Sequence, residues 1–148
     1  MPTVGMVGQN GREMAHELLR MNEGGARCFH ITPEKPLAPE LDMLVVSEAL
    51  PVLAQAIETL SPEGYLVVNS DDKEIFAYLP QGAKLITYGL NSKACITASS
   101  ITDDGLQVCI QRAFTGLGGN MCDPQEFPVK LSSSTELALG AAAAWIVL

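Results

Sequence analysis

The sequence predicts an α/β domain: a three-layer, mostly parallel open sheet with a C-terminal β-hairpin and a closing helix. Three observations carry that prediction. Short apolar runs alternate with amphipathic segments from Pro2 to Gly89, the pattern of strands separated by helices. One run, 42–47 (DMLVVS), is apolar on both faces, as a strand of a parallel sheet covered on both sides is. After Gly89 two β-rich runs flank an Asp-Gly pair, a strong short-range hairpin signal.

Taken in order, residues 2–7 (PTVGMV) read as a buried strand and 8–11 as a tight turn. A helix follows over 10–21, with Met14, Leu18 and Met21 at helical spacing. Gly24 and Gly25 end it, as glycine does past a helix C-terminus. A second strand spans 26–31. The stretch 32–41 holds three prolines and is a loop, because proline continues neither a helix nor a central strand. The third strand, 42–47, leads to a helix over 50–60 that 61–64 closes. A fourth strand spans 65–69, a short helix 71–78 and a fifth strand 83–88. Runs 94–101 and 106–113 form the hairpin, 115–124 is a glycine-rich loop, and 127–131 offers one more antiparallel strand. Ser132, Ser133 and Ser134 are N-cap candidates for an Ala-rich helix over 135–147.

A chain of 148 residues suits one domain, 1–148. Its 47% hydrophobic content excludes a disordered chain. With 17 Asp+Glu against 9 Lys+Arg the net charge is -8, which disfavours nucleic acid and anionic membranes as partners. No apolar run approaches the roughly 18 residues of a membrane span, and the first residues lack a signal-peptide pattern. A cytoplasmic location is expected. Cys28, Cys95, Cys109 and Cys122 contain no CxxC pair, so reduced core thiols are expected and no metal site.

The stretch VGMVGQNGREM (4–14) carries the most chemistry. A strand, a glycine-rich turn and a helix start can cradle phosphate on backbone N–H groups. A working phosphate loop also needs a lysine and a Ser or Thr hydroxyl for Mg²⁺. Arg12 stands where the lysine would be and Glu13 where the hydroxyl would be. Arginine keeps the charge in a bulkier form, and the carboxylate repels phosphate.

Read with the rest of the chain, this turn resembles the opening of the central domain of the Mur ligases, ATP-dependent enzymes that join amino acids to peptidoglycan precursors. Their turn has the form GxTGTNGKTT, and Gly5, Gly8, Asn10 and Gly11 match it in frame. EGYLVVNSDDKEI is similar to the family's G-x-x-V-x-N-x-D-D segment through Gly64, Asn69, Asp71 and Asp72. KLITYGLN resembles its strand ending in Tyr-Gly or Phe-Gly, here Tyr88 and Gly89, and the hairpin and final helix follow in the family's order. The resemblance covers essentially the whole chain as one shortened, P-loop-like central domain. It implies a nucleotide site at Gly8, Gln9, Asn10, Gly11, Arg12, Glu13, Asn69 and Asp72, with ATP, ADP or phosphate as ligand.

The departures are as informative. The phosphate-loop lysine and hydroxyl are missing. The short stretch 26–41 has no room for most of the family's Thr-rich loop, Mg²⁺-binding glutamate and histidine, and modified lysine. The Gly-x-His-Asn segment is replaced by LSSST, and the family's flanking domains are expected to be missing. Asn69 and Asp72 have two readings: contact with an adenine, or capping of the helix that follows. Arg12 with Glu13 is either an anion site or an ordinary surface pair. Asp103 and Asp104 belong to the hairpin turn, His16 to the surface of the first helix, and Glu48 is a stand-in for a lost metal ligand. Two functions follow. One is a non-catalytic relative that binds a nucleotide, a phosphate-bearing metabolite or a protein, a second copy of itself included, in cell-wall precursor metabolism. The other is an ATP-dependent ligase or ATPase completed by another chain. Residues 12–14 favour the first, since phosphoryl transfer rests on charge neutralisation and metal placement.

Overall fold

A computed structural model describes residues 1–35, 39–130 and 134–148. An eight-stranded sheet forms the middle layer, in the order β10-β7-β6-β5-β4-β3-β1-β2. Its parallel half comprises β1 (Thr3–Val7), β2 (Arg27–His30), β3 (Leu41–Val46), β4 (Leu60–Asn69) and β5 (Lys84–Tyr88). The register runs from Met6 to Val45, Val45 to Val67 and Val67 to Ile86, the parallel core that the sequence predicts. β6 (Ile96–Ile101) joins β5 in parallel, and β7 (Gly105–Ile110) and β10 (Gln125–Lys130) extend the sheet antiparallel. Pro128 sits on β10, an edge strand, where a missing N–H costs no ladder bond.

Helices cover both faces, giving the three layers. α1 (Gly11–Met21) and α3 (Thr135–Val147) bury Met14, Leu18, Leu137 and Ala141 against Val4, Val45, Val67 and Ile96. α2 (Leu53–Glu58) and a 3₁₀ segment (Lys73–Tyr78) bury Leu53, Ala56 and Ile75 against Leu44, Leu66 and Val68 on the other face. α3 is buried around most of its girth, as a helix apolar on all sides must be. Its small residues permit the close approach: a Cβ at Gly140 would lie 2.6 Å from the Met14 methyl and 2.9 Å from the Tyr88 hydroxyl. Ser134 caps it by accepting the Leu137 N–H at 3.2 Å. Of the other predicted caps, Ser132 and Ser133 lie outside the described residues, as does Leu131.

Several boundaries move. The helix predicted over 50–60 shortens to α2, because Leu60 has left the helix to pair with Leu41 and residues 61–64 continue into β4 across a register shift. The short helix at 71–78 is 3₁₀ and begins only at Lys73, after Asp72 has turned the chain. The loop at 115–124 holds a two-stranded ribbon, β8 (Phe114–Thr115) with β9 (Met121–Cys122), which packs Phe114 and Cys122 on the core beside α3. The hairpin tip is turn chemistry: the Thr102 N–H donates to the Gly105 carbonyl at 2.9 Å, and Asp103 and Asp104 are exposed.

Candidate functional site at the sheet's switch point

Strand order places β2 on one side of β1 and β3 on the other, so the chain reverses direction of travel across the sheet at β1. In open α/β sheets ligands bind outside the carboxyl ends of the strands at that point. A cleft of about 430 Å³ opens there, between the turns that follow β1, β3 and β4. It brings together Gln9, Asn10, Asn69 and Asp72, which the sequence nominates, with Ser47, Glu48, Asp71, Tyr88 and Glu136.

The turn after β1 is tight. Gly8 has φ +144°, and a Cβ there would land on the Ser47 hydroxyl, so both conformation and space demand glycine. The Gly11 N–H donates to the Gly8 carbonyl at 3.1 Å, closing the turn and starting α1. The Ser47 hydroxyl donates to the Asn10 side-chain oxygen at 2.8 Å, and His30 Nε2 lies 3.0 Å from the Gly8 carbonyl. The Gln9 N–H, one of the donors a bound phosphate would use, is already engaged: it donates to Glu48 Oε1 at 2.6 Å.

Across the cleft, Asn69 uses both ends of its amide internally. Its Nδ2 donates to the Ser47 carbonyl at 3.1 Å and its Oδ1 accepts the Asp71 N–H at 3.0 Å. Asp72 caps the 3₁₀ segment through the Glu74 N–H at 3.1 Å and holds the Ala49 N–H at 2.9 Å. Asp72 is thus the N-cap of the 3₁₀ segment, and Asn69 ties together the turns after β3 and β4. Asp71 accepts from the Leu90 and Asn91 N–H groups at 2.7 and 3.1 Å and from the Asn91 amide. Partial burial acts to raise its carboxyl, but these donors outweigh it and hold the group below the ordinary carboxylate value.

The electrostatics are one-signed. Glu48, Asp71, Asp72 and Glu136 line the cleft, and among the described residues no Lys or Arg does. At 4 Å a phosphate charge and a carboxylate repel by about 1 kcal/mol in water and about 4 kcal/mol at a partly dry surface. The charge of the cleft therefore opposes a phosphate group there. Tyr88 forms part of its wall, with its hydroxyl buried and without a hydrogen-bond partner among the described residues. Burial first, then the Glu136 and Asp71 charges, raise its phenol.

Two nominated residues fall elsewhere. Arg12 lines a separate cleft with His30 and Lys35, and Glu13 lies exposed on α1 outside both clefts. Glu48, read from the sequence as a substitute metal ligand, instead seats its carboxylate on the turn, and no set of three or more His, Cys, Asp or Glu among the described residues is arranged for a metal. The four cysteines are free thiols, and burial pushes Cys28 up to about 11. Ser47 and Glu136 carry no sequence signal of a site and Tyr88 is legible only as the end of a strand motif, since each joins the cleft from a different part of the chain. No helix of the described residues is long and apolar enough to cross a membrane.

No protein-family model matches the chain, and no curated protein matches it in sequence. Solved structures do match in fold. The MurF ligase from Thermotoga maritima, in complex with ADP, is 12% identical with a TM-score of 0.63 over 99% of this chain and 44% of that one. The UDP-N-acetylmuramoylalanyl-D-glutamyl-2,6-diaminopimelate–D-alanyl-D-alanyl ligase from Acinetobacter baumannii is 10% identical, with a TM-score of 0.61 over 99% of this chain and 42% of that one. This chain thus spans less than half the length of either ligase. Likeness at such identity speaks to architecture, and the architecture is a Mur ligase-like fold.

Proposed function

We propose that this chain is a non-catalytic Mur ligase-like domain, one that binds a nucleotide, another phosphate-bearing metabolite or a partner protein without transferring a phosphoryl group. The observation that supports this reading most is the Glu48 carboxylate on the Gln9 N–H. A carboxylate held at the phosphate turn occupies a donor the transferred group needs and adds charge of the wrong sign. Arg12 and Glu13, standing where a lysine and a hydroxyl serve phosphate and Mg²⁺, point the same way. A link to cell-wall precursors follows from the fold likeness alone.

The test is ATP turnover and ligand binding by the purified chain. No Mg²⁺-dependent phosphate release is expected, while a ligand specific for the folded state raises its stability by RT ln(1 + [L]/Kd), and Tm with it. Phosphate release that scales with protein and disappears without Mg²⁺ would overturn the reading in favour of an ATPase.

A further inference from the structure

We propose that the cleft between the start of α1 and the end of β2 binds a small phosphate monoester through Arg12, Thr32 and Lys35. This rests on the binding half of the reading above and moves the phosphate away from the turn after β1. The cleft measures about 520 Å³, within the size range of small-ligand sites, and Phe29 and Ile31 give it an apolar side for the body of the ester.

Its charge is opposite to that of the switch-point cleft. Arg12 and Lys35 both line it, and among the described residues no carboxylate does. In a chain of net charge -8, carboxylates to pair with are plentiful, yet among the described residues neither of these cations forms an ion pair. The side chains lining the cleft therefore carry net positive charge, which attracts an anion at contact range. Arg12 lies in the first turn of α1, where its guanidinium adds to the positive end of the helix.

The cleft is also shaped by its own hydrogen bonds. The Lys35 N–H donates to the Thr32 carbonyl at 3.0 Å and to Thr32 Oγ1 at 3.2 Å, closing the turn. The Thr32 hydroxyl proton remains available to donate to an oxyanion. His30 ties the floor of the cleft to the Gly8 carbonyl. Cys28, in the same wall, remains a neutral thiol near pH 7 and adds no negative charge.

The experiment is an NMR titration of the ¹⁵N-labelled full chain with inorganic phosphate and with phenyl phosphate, against sodium chloride at matched ionic strength. Saturable amide shifts are expected at Arg12, residues 28–32, Glu34 and Lys35 with both phosphates and not with chloride. Arg12→Gln and Lys35→Gln should each weaken binding about threefold, and the double variant about tenfold, with spectra that keep native dispersion. Shifts centred on residues 8–11 and Asn69 would overturn the location while leaving phosphate binding intact. Absence of saturable shifts, or unchanged affinity in the double variant, would overturn the site itself. ATP turnover in a parallel assay would sink the non-catalytic reading and leave this cleft standing.

Discussion

The Glu48 carboxylate accepts the Gln9 N–H at 2.6 Å, joining the turn after β1 to the turn after β3. Together with the Ser47–Asn10 hydrogen bond it ties the mouth of the switch-point cleft, and it holds one of the four carboxylates that give the cleft its charge.

Weakening that contact should loosen the turn and change its preference. Glu48→Gln retains size and an acceptor oxygen but removes the charge, and turning a charge-assisted hydrogen bond into a neutral one costs about 1 kcal/mol, or about 3 °C in Tm. Affinity of the turn for ADP, read by calorimetry, should rise. A variant that binds ADP no better than the native chain would show that Glu48 is not what keeps phosphate out.

Restoring the Mur-like pair tests Arg12 and Glu13 against Glu48. The sequence suggests that Arg12→Lys with Glu13→Thr strengthens phosphate binding. In the structure both side chains lie outside the switch-point cleft, so that double change alone should alter ADP affinity less than twofold. Adding Glu48→Gln should bring a gain of roughly tenfold, equivalent to about 1.4 kcal/mol.

Gly8→Ala should be severely destabilising, by about 3 kcal/mol or more, because it combines a positive φ with a collision at Ser47. Urea midpoints of Gly8→Ala and of Gly8→Ala with Ser47→Gly separate the two causes. The second change relieves the collision and leaves the backbone strain, so recovery should be partial.

The Asp71 carboxyl titrates below its ordinary value when folded. A carboxyl lowered on folding stabilises the native state above its unfolded pKa, and that contribution is lost as pH falls through the folded one. The stability gap between the native chain and Asp71→Asn should therefore be constant from pH 7 to about pH 5 and close on further acidification. Urea titrations at each pH measure it, and a gap that widens in acid would contradict the sign.

Tyr88→Phe removes a buried hydroxyl that has no hydrogen-bond partner among the described residues. It should be neutral or stabilising by up to about 1 kcal/mol, because no hydrogen bond is lost and less polar surface is buried. A clear fall in Tm would show that the hydroxyl is satisfied in solution.

By itself the sequence determined the parallel core, the turn after β1, the hairpin and the closing helix. Each is written locally: apolar period, glycine and Asp-Gly placement, and an Ala-rich run all act within a few residues. The extent of α2 and the ribbon at 114–122 were not legible, since pairing of Leu60 with Leu41 and packing beside α3 override local preference. The candidate sites divide the same way. Gly8, Gln9, Asn10 and Gly11 could be read from one motif, and Asn69 and Asp72 from another. Only the tertiary structure decided that Glu48 would cap the turn, that Asn69 would spend its amide on the backbone, and that Arg12 and Lys35 would line a different cleft. Charge at a site is a sum over side chains brought within a few ångströms from distant parts of the chain, and strand order, not spacing in the sequence, sets which ones meet.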